Sequence, residues 1–109
     1  MQPILRSSMT TIEELEASIE NHDLPPTDLS PETKALWFTK KKRWEAAHEI
    51  AQDINTETGS WIHAMLHRIE GDLGNAAYWY SRAGKPAICD SEGIEKEWRE
   101  ITTFVLSES

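Results

Sequence analysis

The amino-acid sequence predicts an all-α fold, and three observations lead to that prediction. Apolar residues recur at spacings of three and four along most of the 109 residues, as they do on one face of a helix. Residues that start and stop helices bracket these segments, among them Pro31 at one start and Gly84 with Pro86 at one stop. A weak internal repeat relates two neighbouring segments at an offset of 29 residues, a period close to those of helical repeat proteins.

The first two helices have clear N-terminal signals. Thr11 and Glu14 form the pattern of a capping box, which satisfies backbone N–H groups at a helix start. Ser30 is the expected cap of the second helix, and Pro31 occupies its first position, where a missing N–H costs nothing. The sequence therefore predicts one helix on each side of the Pro25–Pro26 pair.

A third helix is predicted after a basic run. The run Lys40–Arg43 is interpreted as a solubilising turn of an acidic protein. Apolar residues then follow at helical spacing and form a broad stripe. The stripe consists of Trp44, Ala47, Ile50, Ala51 and Ile54.

The fourth helix is predicted to begin at Trp61. The segment Asn55–Gly59 is expected to be a loop, and Ser60 can cap the helix that follows it. Because this loop is short, the third and fourth helices are expected to be roughly antiparallel.

Two further helices complete the prediction. The segment Gly71–Gly74 interrupts the fourth helix, and Asp72 and Asn75 are expected to serve as cap and turn residues there. The predicted helices are at about Asn75–Ala83 and about Glu92–Leu106.

These elements predict a single helical domain over residues 1–109. Residues 1–10 are expected to be a poorly ordered N-terminal segment, residues 31–86 a core of two hairpins, and residues 91–107 a capping helix. The predicted architecture is two tandem antiparallel helical hairpins, tetratricopeptide-like, between an N-terminal helix and a C-terminal capping helix. Two repeats are fewer than the three usually needed for a continuous core. The rest of the core must therefore come from the flanking helices, or from a homodimer formed through Trp98 and the last helix.

Composition excludes some classes of function. The formal net charge of −8 disfavours nucleic-acid binding, which requires a basic surface, but it is compatible with a small anionic ligand in a local basic pocket. The single cysteine, Cys89, cannot form an internal disulfide, which favours a reducing compartment. The sequence shows neither the apolar run of a secretory signal nor a membrane span, so a cytoplasmic protein without membrane association is expected.

The fourth predicted helix carries the residues most suited to chemistry. His63, His67 and Glu70 lie within about 60° of one another on its surface, since successive residues are about 100° apart. The apolar residues of the helix lie opposite, so these histidines are expected to face water or a groove. At the 29-residue offset, the corresponding groove positions are Lys34, Phe38 and Lys41. If the hairpins stack as they do in tetratricopeptide arrays, these positions line a concave surface. A surface of this kind would suit a peptide or a small anionic ligand.

His48 and Gln52 on the third helix extend this set. In an antiparallel pair, equal distances from the connecting loop bring His48 near His67 and Gln52 near His63. Three histidines with Glu70 or Gln52 could bind a divalent metal such as zinc, because neutral imidazole is the commonest metal ligand. Ala64 stands where zinc proteases of the H-E-x-x-H type carry their glutamate base.

Three further residues are candidate binding residues. Tyr78 and Arg82 share the face of the fifth helix opposite its apolar side, and form either a platform for a partner or a solvated pair. Arg68 is expected to pair with a carboxylate, with anion binding as the alternative. The core side of the fifth helix comprises Trp79, Tyr80 and Ala83.

Residues 44–86 resemble a family of short, mostly uncharacterised microbial helical proteins. The resemblance rests on the motifs Trp44-x-x-Ala47-His48, Trp61-Ile62-His63-Ala64, His67-Arg68-x-Glu70-Gly71-Asp72 and Asn75-Ala76-x-Tyr78-Trp79-Tyr80-x-Arg82-Ala83-Gly84. In that family a Gly-Asp pair often precedes the first tryptophan, whereas Lys42-Arg43 precedes Trp44 here. The resemblance implies a helical repeat-like domain and draws attention to these polar residues, but it implies no reaction.

Two functional hypotheses follow. The first is a non-catalytic helical interaction module that binds a protein or peptide partner. The second is a protein that binds a small ligand or a divalent metal through His48, His63, His67 and Glu70, with an enzymatic role left open.

Overall fold

The computed structural model describes residues 11–108, and this part of the chain confirms the all-α prediction. It contains six helices and no strands. The helices are α1 (Ile12–Asn21), α2 (Pro31–Lys40), α3 (Trp44–Gln52), α4 (Glu57–Ile69), α5 (Leu73–Ala83) and α6 (Ile94–Glu108). The expectation for residues 1–10 lies outside the described residues.

The N-terminal caps of α1 and α2 are those that the sequence predicts. The hydroxyl of Thr11 accepts the Glu14 N–H at 3.1 Å, and the Glu14 carboxylate accepts the Thr11 N–H at 3.2 Å. The Ser30 hydroxyl accepts the N–H of Thr33 at 3.2 Å, with Pro31 at the first helical position. Both helix starts are therefore specified by residues within one turn.

The predicted start of α4 is wrong, because the helix begins at Glu57 rather than Trp61. Thr56 is the cap residue, and its hydroxyl accepts the Gly59 N–H at 3.1 Å. Gly59 belongs to the first turn instead of a loop. A Cβ at this position would lie only 2.4 Å from the carbonyl oxygen of Ile54, so glycine is required for this close approach. Ser60 therefore lies inside the helix and is buried.

The boundaries of α5 and α6 differ from the prediction by about two residues. The Asp72 carboxylate accepts the Asn75 N–H at 3.2 Å, which confirms Asp72 as a cap and lets α5 begin at Leu73. Gly84 ends this helix with a φ of 70°. The last helix begins at Ile94 and continues to Glu108.

Helix α4 lies at the centre of the fold and packs against α2, α3, α5 and α6. Its apolar residues Ile62, Met65 and Leu66 are completely buried. Pairs α2–α3 and α4–α5 each pack together, but the tandem-hairpin detail stays a prediction.

Two tryptophans attach the flanking helices to this core. The Trp37 indole donates to the Ser18 hydroxyl of α1 at 3.1 Å, and the Trp98 indole of α6 donates to the Leu36 carbonyl at 2.9 Å. Trp98 is only 2% exposed. It therefore completes the core of its own chain, and the homodimer through the last helix stays a prediction. None of the helices described is long and apolar enough to cross a bilayer.

Candidate metal-binding site

Three histidines from two helices meet on one side of α4. His63 and His67 lie one turn apart on α4, and the packing of α3 against α4 brings His48 between them. The Nε2 atoms of His48 and His63 are 2.9 Å apart, and the ring centroids of His48 and His67 are 5.3 Å apart. This confirms the prediction that His48 lies near His67. One ring nitrogen from each histidine lies within 4.8 Å of the other two.

This histidine cluster is buried, so the expectation that His63 and His67 face water or a groove is wrong. These two residues are only 4% and 6% exposed. The indole of Trp79 stacks on His63 with the ring centroids 3.9 Å apart, and that of Trp44 stacks on His48 at 4.7 Å. Tryptophans from α3 and α5 thus cover the side of α4 that a helix considered alone would expose.

The remaining positions of the expected concave surface also have internal partners. Phe38 packs against Trp37 and the core, and the Lys41 ammonium donates to the Ile19 carbonyl at 2.6 Å. The expected groove over α2 and α4 is therefore occupied by the protein's own side chains at these positions. Lys34 is half-buried on the same helix.

Glu70 extends the histidine cluster towards solvent. Its carboxylate lies 2.7 Å from Nδ1 of His67, and the Glu70 side chain is 38% exposed. A carboxylate at one ring nitrogen of a histidine fixes the tautomer and leaves the other nitrogen free. Glu70 and Asp72 also form, with His67, a second and more exposed group of possible ligands.

The electrostatics of the cluster favour neutral imidazoles. Burial, and then the neighbouring His48 and His67, lower the pKa of His63 to about 4. Burial, and then the neighbouring His67, also lower the pKa of His48. Both rings therefore offer lone pairs instead of positive charge at neutral pH.

The histidine cluster is not fully satisfied by hydrogen bonds. Within the part of the chain that the structure describes, Nδ1 of His63 is one of two buried side-chain nitrogen or oxygen atoms that have no partner. Such an atom is uncommon in a folded protein. It lies across the ring from Nε2, the nitrogen that faces His48, so one ion cannot bind both nitrogens of His63. The orphaned nitrogen belongs to the most deeply buried ring of the cluster.

The other predicted binding residues lie on α3, α4 and α5. Gln52 lines a cavity of about 270 Å³ together with Arg82 and Trp79, whose ring stacks on His63, and its approach to His63 stays a prediction. The Arg82 guanidinium donates to the Tyr78 hydroxyl at 3.1 Å, and Tyr78 is 53% exposed, so these two residues do share the outer face of α5. Tyr80 is buried on the opposite side, as predicted.

Arg68 has the predicted carboxylate partner. Its guanidinium lies 2.6 Å from Glu97 of α6, and both side chains are almost completely buried. It also donates to the backbone carbonyls of Asp90 and Glu92. These partners occupy the guanidinium, which corrects the alternative of an anion-binding role.

Glu97 is a buried polar residue that sequence reasoning missed. It accepts hydrogen bonds from the Tyr80 hydroxyl at 2.6 Å and from the Trp61 indole at 3.1 Å, besides the bond from Arg68. The signal in the sequence is its position three residues after Ile94 on the apolar stripe of α6. A carboxylate in such a stripe indicates a buried polar partner.

Comparison of the chain with protein-family models, with curated proteins and with solved structures gave no significant match.

Proposed function

We propose that this protein binds a divalent transition-metal ion through His48, His63 and His67. The observation that carries the proposal is the convergence of three ring nitrogens within 4.8 Å of one another. A zinc ion bound to three histidines in tetrahedral geometry holds the nitrogens about 3.4 Å apart, for Zn–N bonds of about 2.05 Å. The 2.9 Å separation of the His48 and His63 nitrogens needs to change by only a fraction of an ångström.

The surroundings of the histidine cluster support a metal rather than a purely structural role. Glu70 at Nδ1 of His67 occupies the place that carboxylates take beside metal-binding histidines. The lowered pKa values of His48 and His63 keep the ligands deprotonated at neutral pH, as metal binding requires. Neighbouring Trp44 and Trp79 rings restrict the movement of the imidazoles.

The chemistry of the donors indicates the class of metal. Imidazole nitrogens favour zinc, nickel, copper and iron over magnesium and calcium, which prefer oxygen ligands. Three protein ligands leave one coordination position of a tetrahedral ion open for water or another small ligand. Since Ala64 occupies the position of a protease glutamate, the proposal is limited to binding.

Metal titration of the protein without a histidine tag tests this proposal. With a free zinc concentration 100 times the Kd, we expect stabilisation of about 2.7 kcal/mol, which raises Tm by roughly 10 °C or more in a domain of this size. Calorimetry should give one zinc ion per chain, and magnesium should give no response.

Exposed His22 at the end of α1 provides a matched control. The variant His48→Ala should lose the zinc response, whereas His22→Ala should keep it. An unchanged Tm of the wild-type protein with zinc and nickel would rule out the proposal. An equal response of both variants would place the metal elsewhere.

A second candidate is the non-catalytic interaction module, in which the tandem hairpins present a surface to a partner. The observation that favours it is the exposed Tyr78 beside Arg82, since tyrosine and arginine are enriched in protein interfaces. Cross-linking in cells should then capture one partner protein with the wild-type chain. The double variant Tyr78→Ala/Arg82→Ala should no longer capture that protein. An unchanged set of cross-linked proteins would contradict this candidate.

A further inference from the structure

Three helices of this protein end in the same backbone motif, and one of the three has an unexpected residue. After α4 and α5 the residue with positive φ is a glycine, Gly71 at 86° and Gly84 at 70°. After α2 the same place is occupied by Lys42, with a φ of 69°. In each motif the next N–H bonds to the carbonyl five residues earlier, and these bonds are Arg43 to Phe38, Asp72 to His67 and Lys85 to Tyr80, at 2.9–3.0 Å.

Lys42 therefore adopts a conformation in which glycine would be less strained. A side chain at positive φ meets the neighbouring backbone, which is why this motif strongly favours glycine. Strained residues of this kind cluster at binding sites and other functional positions. The strain by itself assigns no role to Lys42, but its surroundings do.

The neighbouring cations are held by internal partners, whereas Lys42 is not. Lys40 pairs with Glu16 and Glu95, and Arg43 donates to the Asp23 carbonyl at 2.6 Å. Lys41 is held by α1, as described above. These three residues thus have partners within the chain, and the interpretation of Lys40–Arg43 as a solubilising turn stays a prediction. Along residues 11–108, Lys42 has no hydrogen bond or ion pair from its ammonium group.

Lys42 stands at the rim of an apolar cavity of about 390 Å³. This volume falls in the usual range of small-molecule sites. The apolar lining comprises Trp44, Leu66, Ile69, Ile94 and Trp98, and the polar lining comprises Thr39, Lys40, Lys42 and Glu95. The cavity lies beside the turn between α2 and α3 and reaches α4 and α6.

The polar groups of the walls are already occupied. The Trp44 indole donates to the Leu66 carbonyl at 2.6 Å, and the Trp98 indole is bonded to the Leu36 carbonyl. The Thr39 hydroxyl donates to the Ala35 carbonyl at 2.7 Å. Because Lys40 and Glu95 neutralise each other, the ammonium of Lys42 is the uncompensated charge at the cavity.

We propose that this cavity binds a small organic anion with an apolar body, in the class of aromatic or aliphatic carboxylates. The apolar body lies against Trp44, Ile69 and Ile94, the partly exposed apolar residues of the lining, and Lys42 binds the carboxylate. The chain as a whole carries a net charge of −8, so an anion is attracted here only by a local positive group. This site uses no metal ligand and does not depend on the proposed metal function.

Binding of 4-phenylbutyrate and of its uncharged amide, measured by calorimetry in the presence of EDTA, tests the proposal. We expect the acid to bind at least 10-fold more tightly than the amide. In the variant Lys42→Gly the acid should lose at least 10-fold in affinity and bind no better than the amide, whereas Lys42→Arg should retain the preference. Exposed Lys96 provides the matched control, since Lys96→Ala removes the same charge outside the cavity.

The same variant separates binding from folding. Because Lys42→Gly relieves the strained backbone, its Tm should rise by a few degrees while its affinity for the acid falls. A loss of binding in a more stable protein cannot result from misfolding. In NMR spectra the acid should shift the indole N–H signal of Trp44 but not that of Trp37.

Three results would overturn the proposal. The first is no binding of the acid by the wild-type protein at millimolar concentration. The second is equal affinity of the wild-type protein and Lys42→Gly. The third is binding that leaves the indole signal of Trp44 unchanged.

Discussion

Two buried polar clusters lie on adjoining turns of the same helix, and they differ in how completely they are paired. In the first cluster, the Arg68 guanidinium and the Tyr80 hydroxyl both donate hydrogen bonds to the Glu97 carboxylate. One residue earlier, His67 belongs to the histidine cluster, where Nδ1 of His63 has no partner. The first cluster is therefore closed by its own partners, whereas the second lacks a full set of partners.

The two clusters also differ in charge. Burial opposes the charge of Arg68, but hydrogen bonds and the proximity of Glu97 outweigh it and raise the pKa of Arg68. Burial, and then the hydrogen bond to Glu97, raise the pKa of Tyr80 far above its usual range, so the phenol stays protonated and donates. A buried charge requires full pairing, whereas a neutral imidazole can remain partly unpaired at smaller cost.

The largest effect is expected from Arg68→Met. Removing the guanidinium leaves Glu97 buried without its cationic partner, which should lower the free energy of unfolding by about 3–5 kcal/mol. Urea denaturation measures this loss. Arg99→Met is the matched control, because Arg99 pairs with Glu16 at the surface and such pairs contribute about 0–1 kcal/mol. Similar losses in the two variants would show that the Arg68 network is not a buried structural unit.

A somewhat smaller effect is expected from acidification of the metal-free protein. The unfolded chain has a histidine pKa of 6.5, whereas that of folded His63 is about 4, so the folded state binds fewer protons between these pH values. Stability is therefore complete above pH 6.5 and falls as the pH decreases towards 4. Since one pKa unit corresponds to about 1.4 kcal/mol, the loss amounts to about 3 kcal/mol. His48 acts in the same direction.

Urea denaturation between pH 4.5 and 7.5 measures this dependence. The variant His63→Phe should show a flatter profile, and His22→Asn should show the profile of the wild-type protein. A wild-type profile in His63→Phe would mean that the titrating groups lie outside the histidine cluster.

The smallest effect is expected from Tyr80→Phe. This change removes one hydrogen bond to Glu97 but leaves the bonds from Arg68 and Trp61, so we expect a loss of about 2 kcal/mol in unfolding free energy. Tyr78→Phe removes a hydroxyl that bonds Arg82 at the surface and should cost less than about 0.5 kcal/mol. A loss in Tyr80→Phe as small as that in Tyr78→Phe would contradict the importance of the buried network.

Part of the candidate site could be predicted from the sequence. Helical spacing places His63 and His67 on one side of α4, and equal distances from the connecting loop place His48 near His67, as observed. Burial of the histidine cluster could not be predicted in the same way. It depends on Trp79, which belongs to another helix and whose ring covers His63.

Local patterns in the sequence are sufficient for the all-α class, the first two caps and the glycine stop at Gly84, because these depend on contacts within one helical turn. The start of α4 is local as well, since Thr56 caps the Gly59 N–H three residues on, but the apolar stripe led to a predicted start at Trp61. Tertiary packing sets the partner of Arg68, which lies 29 residues away in the chain, and the burial of His63 beneath Trp79. Neither of these depends on a local pattern, because each requires two segments to pack before their side chains can meet.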